Sequence, residues 1–473
     1  MVGLMTHAAL ADIESLQAVM KGRVIGPQDP HYDDARKVWN GDIDRRPAVI
    51  ASCVDAPDVG AAIGFARRHG LEIAVRGGAH SSAGASAVDD GLVVDLSPMN
   101  QVTVDPVARR VLVGGGATLA ERDVATQAHG LAAPGGLVGH TGVAGLTLGG
   151  GMGWLTRKAG LAVDNLISAE VVTADGRILR AAEDENPDLF WAIRGGGGNF
   201  GVVTTFEFRL HEVGPAVQFG LFFWGLEQGA EALRLSRDVI ATLSPDLNVM
   251  VLGLNAPPEP FVPEPFQLQP GYALLVVGFG SDEEHQAVVE RVRQTLPPLF
   301  DLVTPMPFVQ LLQMFDEANP WGLRCYDKCL YVEDFSDDVI TVVTAHQPRK
   351  ASPLSTLFVY RLDGAYCDVG EDDTAFSGER SPRLAVFIVG LTTTAEELSA
   401  DRRWVRAFWE ALQPYALGTG GYVNGDSEYD DDRVRSIYGP VKYERLARIK
   451  AAYDPDNVLH RNANIRPAIN IPA

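Results

Sequence analysis

The 473-residue sequence predicts an α+β protein in which both chain ends build one domain and a second domain is inserted between them. Three observations predict it. Short apolar strands alternate with glycine-rich loops through the first part of the chain. That texture stops around "HEVGPA", residues 211–216, and returns near "GTGGYVNGD", residues 418–426. Between those points, "GYALLVVGFGSDEEHQAVVERV" and "LAVFIVGLTTTAEELSADRRWVRAFWEAL" share a strand-then-helix plan. The expected parts are residues 1–213 and 417–473 as one domain, and 214–416 as an inserted domain, an antiparallel sheet covered by helices.

The elements follow in order. "AVIASCVDAPDVGAAIGFARRHGLEIAVRGG" reads as strand, helix, strand. Asp55 caps the helix, Val59, Ile63 and Phe65 form its apolar face, and Gly70 stops it. "LVVDLS" and "VTVDPVARRVLVGGG" read as sheet. In "TLAERDVATQAHG", Thr118 and Glu121 have capping-box spacing and Gly130 is the stop. "LISAEVVTADGRILRA" is a hairpin around Asp175-Gly176, and "AIRGGGGNFGVVTTFEFRL" returns to strand. In the middle segment Ser281 with Glu284, and Thr394 with Glu397, repeat the cap signal. The stretch "NAPPEPFVPEPFQLQPG" reads as a surface loop. His69 and His129 precede glycines at helix ends, where imidazole complements the dipole. Trp404, Phe408 and Leu412 recur at helical spacing and read as core.

Composition excludes several classes. Hydrophobic residues make up 46% and charged ones 21%, ordinary for folded domains. A net charge of −21 with no basic cluster argues against a nucleic-acid partner. The first 26 residues have no basic residue before Lys21 and no unbroken apolar run, so neither a secretory leader nor a membrane span is expected. Four cysteines (Cys53, Cys325, Cys329, Cys367) are few, and the 325/329 pair has no matching second pair. Reduced thiols, a cytoplasmic location and no metal site are expected.

Glycine clusters at 77–78 with 84, at 135–153 and at 195–201 need a reason. Glycine lets a backbone approach a ligand closely and aim its N–H groups at an anion. A nicotinamide fold would use G-x-G-x-x-G between strand and helix. "GGGMG" does not follow a buried strand, "GGGGNFG" leads into a strand, and no G-K-[ST] marks a P-loop. Several separated cradles imply a long ligand with phosphate in its middle, a dinucleotide between two subdomains. In "EIAVRGGAHSSAG", His80 stands among residues small enough to let that ligand reach it.

"VRGGAHSSAG", "PGGLVGHTGVAGLTLGGGMGWLTRKAGLAVDNL", "DLFWAIRGGGGNFGVVT", "GGYVN" and "YDPDNVLHRNANIRP" together resemble the berberine-bridge-enzyme-like oxidoreductases. These belong to the vanillyl-alcohol-oxidase group of FAD enzymes. The resemblance runs from about Tyr32 to Pro467 and is weakest in the middle. It implies FAD bonded through its 8α-methyl to His80, a neutral imidazole being a competent nucleophile. Arg76, Gly77, Gly78, Ala79, Ser81 and Ser82 would surround the cofactor, with the Gly77–Ser81 amides on its pyrophosphate. Many members add a cysteine link where this chain has Val138, so one covalent bond and no cysteine link are expected. Thr141 falls where the family controls oxygen access. Gly142, Gly145, Thr147, Gly149, Gly150 and Trp154 would line the phosphate and ribityl path. Asn199, Gly201 and Val203 would meet the adenine side or the ribityl chain. Tyr422 and Asn424 would lie beside the isoalloxazine, with Asn464 buttressing them. Tyr422 is the first choice for catalytic base. Lys328, Tyr326 and Tyr366 are expected to face substrate, and His140 to hydrogen-bond locally.

The resemblance thus implies an oxidase or dehydrogenase with a covalent flavin. Hydride would pass from an alcohol, phenol or amine-like carbon of a small metabolite to flavin N5, and oxygen or another acceptor would re-oxidise the flavin. Neither membrane nor nucleic acid is an expected partner. The rival readings are a flavin-carrying binding protein without turnover, a carbohydrate oxidase of the same family, and a nicotinamide dehydrogenase, disfavoured by its missing fingerprint.

Overall fold

The computed structural model describes residues 13–418 and 421–468. The first 12 residues of the N-terminal stretch read above, Thr419 and Gly420 of the "GTGGYVNGD" stretch, and residues 469–473 lie outside the described residues. The α+β architecture expected from the sequence is the one observed.

The first sheet contains β1 (Arg23–Ile25), β2 (Val49–Ser52), β3 (Ile73–Arg76) and β4 (Leu92–Asp95) in the order β1-β2-β4-β3. β2, β4 and β3 run parallel, because the helix Ala56–His69 carries the chain from β2 back to β3. Asp55 caps that helix by accepting from the Asp58 amide, and Gly70 ends it at φ 64°. His69 lies in its last turn.

The second sheet is antiparallel: β5 (Val102–Asp105), β6 (Arg110–Gly114), β8 (Leu166–Val172), β9 (Ile178–Ala182) and β10 (Val202–Arg209), ordered β5-β6-β10-β8-β9. β7 (Leu131–Ala132) and β11 (His211–Glu212) form a short pair beside it. Thr118 and Glu121 make the expected capping box.

Seven antiparallel strands follow: β12 (Ala216–Gly225), β13 (Leu247–Asn255), β14 (Pro270–Gly278), β15 (Phe300–Pro307), β16 (Arg324–Val332), β17 (Thr356–Leu362) and β18 (Arg383–Thr392). Their order is β15-β12-β14-β13-β17-β18-β16. Both faces are covered, so the strands read as near-continuous apolar runs. One face, with Phe222, Trp224, Leu274, Leu330 and Ile388, packs under helices that include Gly229–Ile240 and Ala395–Leu412. Trp404, Phe408 and Leu412 sit in that layer as core. The opposite face, with Phe219, Phe223, Met250, Leu252 and Phe387, turns toward Met152, Trp154 and Tyr422.

The chain then returns through the helix Asp431–Tyr453, which breaks at Gly439 before Pro440. Lys450, fully buried, fastens it. Its Nζ donates to the Asn199 carbonyl at 2.7 Å, the Leu459 carbonyl at 3.0 Å and Asp454 Oδ2 at 2.6 Å. Asn199 adds a second clasp: its Nδ2 donates to the Ala463 carbonyl at 3.0 Å and its Oδ1 accepts from the Ile465 amide at 3.0 Å. Among the described residues no helix is long and apolar enough to cross a membrane.

Asp454 is as buried as its partner. Lys450→Met should therefore cost about 3–5 kcal/mol by leaving a buried carboxylate without its cation. Denaturant unfolding should show a lower midpoint with an unchanged slope.

Candidate functional site

A cavity of about 1090 Å³ lies between the glycine clusters and the helix-free face of the seven-stranded sheet. That exceeds the usual space for one drug-sized ligand and suits a large cofactor with a small second molecule. Gly77 and Gly78, residues 136–138 and 141–142, and residues 197–199 supply one side; Phe219, Leu221, Phe223, Met250 and Leu252 supply the other.

Close packing explains much of the glycine. A Cβ built on Gly78 would fall onto the Gly142 amide nitrogen, and one on Gly142 would fall onto that of Gly78. The two loops touch backbone to backbone. Gly145 differs: a Cβ there would meet nothing within 4 Å, and the residue lines the cavity.

His80 stacks on Trp39 with ring centroids 4.3 Å apart and planes 13° apart, and the His140 ring lies 5.0 Å away. Its Nε2 is shielded from solvent and has no hydrogen-bond partner. Burial, and then the neighbouring His140, push the imidazole down to about 3, so it is neutral at physiological pH. His140 does not make the local hydrogen bond expected of it: both of its ring nitrogens are buried without a partner.

Of the expected cofactor residues, Gly77, Gly78, Ala79, His80, Ser81, Ser82, Val138, Thr141, Gly142, Gly145, Asn199, Gly201, Val203, Tyr422 and Asn424 line the cavity. Six do not. Arg76 turns to Asp95, 3.6 Å away, and donates to the Ala35 carbonyl, leaving the wall to its neighbours on the strand. Thr147 and Gly149 lie on the inner side of the helix Val143–Gly149, where a Cβ on Gly149 would strike Asn424. Gly150, at φ 140°, is packed against Phe376. Trp154 belongs to the core, and its carbonyl accepts from Asn248 Nδ2 at 2.7 Å. Asn464 follows the wall residue Ala463 but is itself off the wall, its Oδ1 buried without a partner.

The strand β16 reverses another expectation. Its side chains alternate, so Cys325 and Asp327 face the cavity while Tyr326 and Lys328 point to the helical side. Tyr326 donates to Glu428 at 2.9 Å and Lys328 to Asp426 at 2.7 Å. Tyr366 is also off the wall, donating to the Glu379 carbonyl at 2.6 Å. Asp327 was missed, although an acidic residue at an inward position of an otherwise apolar strand is a signal the sequence contains. Its Oδ1 accepts from Ser82 Oγ at 2.8 Å and Ser427 Oγ at 2.5 Å, and burial pushes the carboxyl up to about 6. Cys325 is the one cysteine on the wall among the described residues, and burial pushes its thiol up, away from the reactive thiolate.

Tyr422 is buried against Phe376 and Phe387. Its hydroxyl oxygen accepts from the Gly151 amide and from Asn424 Nδ2, each at 3.0 Å. Asn424 Nδ2 also donates to the Leu146 carbonyl, which fixes the orientation of the amide. A phenol whose two lone pairs are both occupied can only donate. Burial also outweighs those two hydrogen bonds and pushes the phenol up to about 12. In this structure Tyr422 is thus a neutral phenol whose remaining hydrogen-bonding capacity is to donate.

The chain matches the family model described as an FAD binding domain over residues 47–182, and the model described as berberine and berberine like over residues 421–466. It is 30% identical over 458 residues to (R)-6-hydroxynicotine oxidase of Paenarthrobacter nicotinovorans, covering 95% of this chain and 97% of that protein. The crystal structure of 6-hydroxy-D-nicotine oxidase from Arthrobacter nicotinovorans superposes with a TM-score of 0.83 at 27% identity, covering 95% of this chain and 98% of that one. Glucooligosaccharide oxidase from Acremonium strictum, an enzyme described with a 6-S-cysteinyl, 8α-N1-histidyl FAD, shares the fold: TM-score 0.83, 22% identity, 97% of this chain and 99% of that one.

Two glycine variants separate packing from cavity lining. Gly142→Ala forces the two loops apart and should destabilise the protein by about 1–3 kcal/mol in thermal unfolding, with loss of flavin absorbance. Gly145→Ala should leave the fold intact, because its methyl group meets no protein atom, and any change should appear in flavin absorbance and not in the unfolding of the flavin-free chain.

Proposed function

Because the chain belongs to the berberine-like, FAD-linked oxidoreductases, we propose that it oxidises an alcohol, phenol or amine-like carbon of a compact, largely apolar metabolite, with its flavin tethered through His80 alone. The observation that carries this reading is the neutral imidazole of His80, with Nε2 unpartnered, on the wall of the same cavity as the apolar face of the sheet.

The residues present fit the cofactor. His80 Nε2 is an unpartnered nucleophile, and the loops meeting at Gly78 and Gly142 leave their backbone close to the cavity without side chains in the way. We assign the holding of FAD to His80, to the Gly77–Ser82 loop, to Thr141, Gly142 and Gly145, and to Asn199, Gly201 and Val203. When bound, FAD supplies a two-electron acceptor for hydride, which oxygen or another acceptor restores. The chain does the rest. Val138 offers no second attachment, and Cys325 keeps its proton. Tyr422 keeps its own proton at Oη and orients the substrate by donating a hydrogen bond to its heteroatom, while the proton that the substrate gives up as its hydride departs leaves to bulk solvent. Phe219, Leu221, Phe223, Met250 and Leu252 exclude water from the chamber. An oligosaccharide would lose its hydroxyl hydration against that wall without compensation, whereas an aromatic ring would not.

Three outcomes follow. Acid-precipitated wild-type protein should stay yellow, and His80→Ala should release the colour into the supernatant; a colourless wild-type pellet would refute the tether while leaving the fold standing. Tyr422→Phe should stay folded and lower kcat/KM by about ten- to a hundredfold, the worth of a hydrogen bond to a developing charge. A general base would cost up to about 10⁴-fold and would remove a limb of the pH profile. In an anaerobic screen, 4-hydroxybenzyl alcohol should bleach the flavin faster than cellobiose; the reverse order would sink the apolar reading.

A further inference from the structure

Asp327 and Asp426 lie within one small region and are treated oppositely. Asp426 is neutralised twice, by Lys328 at 2.7 Å and Arg433 at 2.9 Å, on the side away from the cavity. Asp327, on the cavity wall, has two serine hydroxyls on Oδ1, and among the described residues neither an ion pair nor any hydrogen bond to Oδ2. Its strand partner across β18 is Val389, and Phe358 and Leu391 continue the apolar wall. The other carboxylates on the wall, Glu259 and Glu317, are exposed. The one guanidinium there, Arg461, stands with Asn462 and Gly198 and already pairs with Glu72 at 3.1 Å. A carboxylate held against apolar surroundings by hydroxyls alone is costly to keep ionised unless a cation joins it.

We propose that Asp327 is a specificity-determining residue that binds the protonated amine of the substrate, so that the compounds this cavity prefers are compact, otherwise apolar ammonium ions. The inference rests on the cavity being the substrate chamber, and it narrows the alcohol, phenol or amine range to one class. The amine N–H donates to the free Oδ2, while Ser82 and Ser427 hold Oδ1 and so fix the plane of the carboxylate.

Ionisation supports the geometry. Burial holds Asp327 up at about 6 against the hydrogen bonds from Ser427 and Ser82, with Asp426 adding to the rise and Lys328 opposing it. Cys325, Cys329 and Tyr429 are the remaining titratable groups that feel its charge, and all three stay protonated because burial pushes them up. The carboxylate is therefore present at neutral pH and lost in mild acid, and a preference for cations must follow the same course.

The test is anaerobic isothermal titration calorimetry of the holoprotein with 4-methylbenzylamine and its neutral analogue 4-methylbenzyl alcohol. At about pH 7.5 the amine should bind roughly ten- to a hundredfold more tightly, as expected for a hydrogen bond between charged groups. That advantage should vanish at about pH 5, where the carboxyl is protonated, and in Asp327→Asn, with alcohol binding unchanged in both. Equal affinities at neutral pH, an advantage that survives either change, or no binding of the amine would overturn the proposal. If Asp327→Asn fails to fold by circular dichroism, the wild-type pH comparison decides alone. Colourless protein would count against the flavin reading instead, which keeps the two failures apart.

Discussion

Two loops 64 residues apart in the chain, one around Gly78 and one around Gly142, meet with no side chain between their backbones. Any Cβ at either position would occupy the other's amide, so the contact exists only because both are glycine. The same device continues along the seam between the first two sheets. A Cβ on Gly116 would fall on the Leu96 carbonyl across that seam; within the second sheet, one on Gly115 would fall on the Val203 carbonyl, and the Gly115 amide donates to the Thr204 carbonyl at 2.8 Å. His80 and Thr141 hang from these loops. Whatever separates the loops also moves the imidazole and Thr141, so the position of the proposed flavin attachment is set by backbone packing first.

The second constraint is the two-sided sheet. Because both faces are buried, period-two alternation decides which residues have chemistry and which have packing. On β16 a single step exchanges Asp327, in the cavity, for Lys328, locked to Asp426 beneath the helices. A one-residue slip would place a cation on the chamber wall and bury an unpaired carboxylate on the far side. The register Asp327–Val389, with its hydrogen-bonded neighbours along β18, prevents that slip.

Local signals were read well from the sequence. Asp55, Thr118, Ser281 and Thr394 all cap the helices they precede, since a cap depends on residues within three positions of it. The motif order also identified the family and placed His80, Gly142 and Tyr422 on a common cavity. Orientation was less legible. Nothing local says that Thr147 and Gly149 face inward on their helix while Gly145 faces the cavity, or that Arg76 turns to Asp95. Asp327 was overlooked because its partners, Ser82 and Ser427, are 245 and 100 residues away in the chain. Glycine was also over-read as a ligand signal. Gly149 and Gly150 are small to admit Asn424 and Phe376, and so serve the cavity only by placing its neighbours.

Burial acts on several titratable groups of the chamber, and it acts unequally. It lowers His80 until the ring is neutral, and it raises Cys325 and Tyr422 until both keep their protons. Each of these groups therefore reaches neutral pH without charge, whatever its ordinary value. Asp327 is subject to the same penalty, yet two serine hydroxyls pull it back to about 6, just far enough to ionise. Around Asp327 the wall thus carries a negative charge among neutral donors and apolar side chains, with Arg461 already paired to Glu72. In a region of low effective dielectric such a charge is felt strongly, because little else competes with it. The chemistry of the chamber then follows from intrinsic acidity under a shared penalty: Tyr422 and Asp327 each receive two donors, yet the phenol starts at about 10 and stays protonated, while the carboxyl starts at about 4 and still ionises.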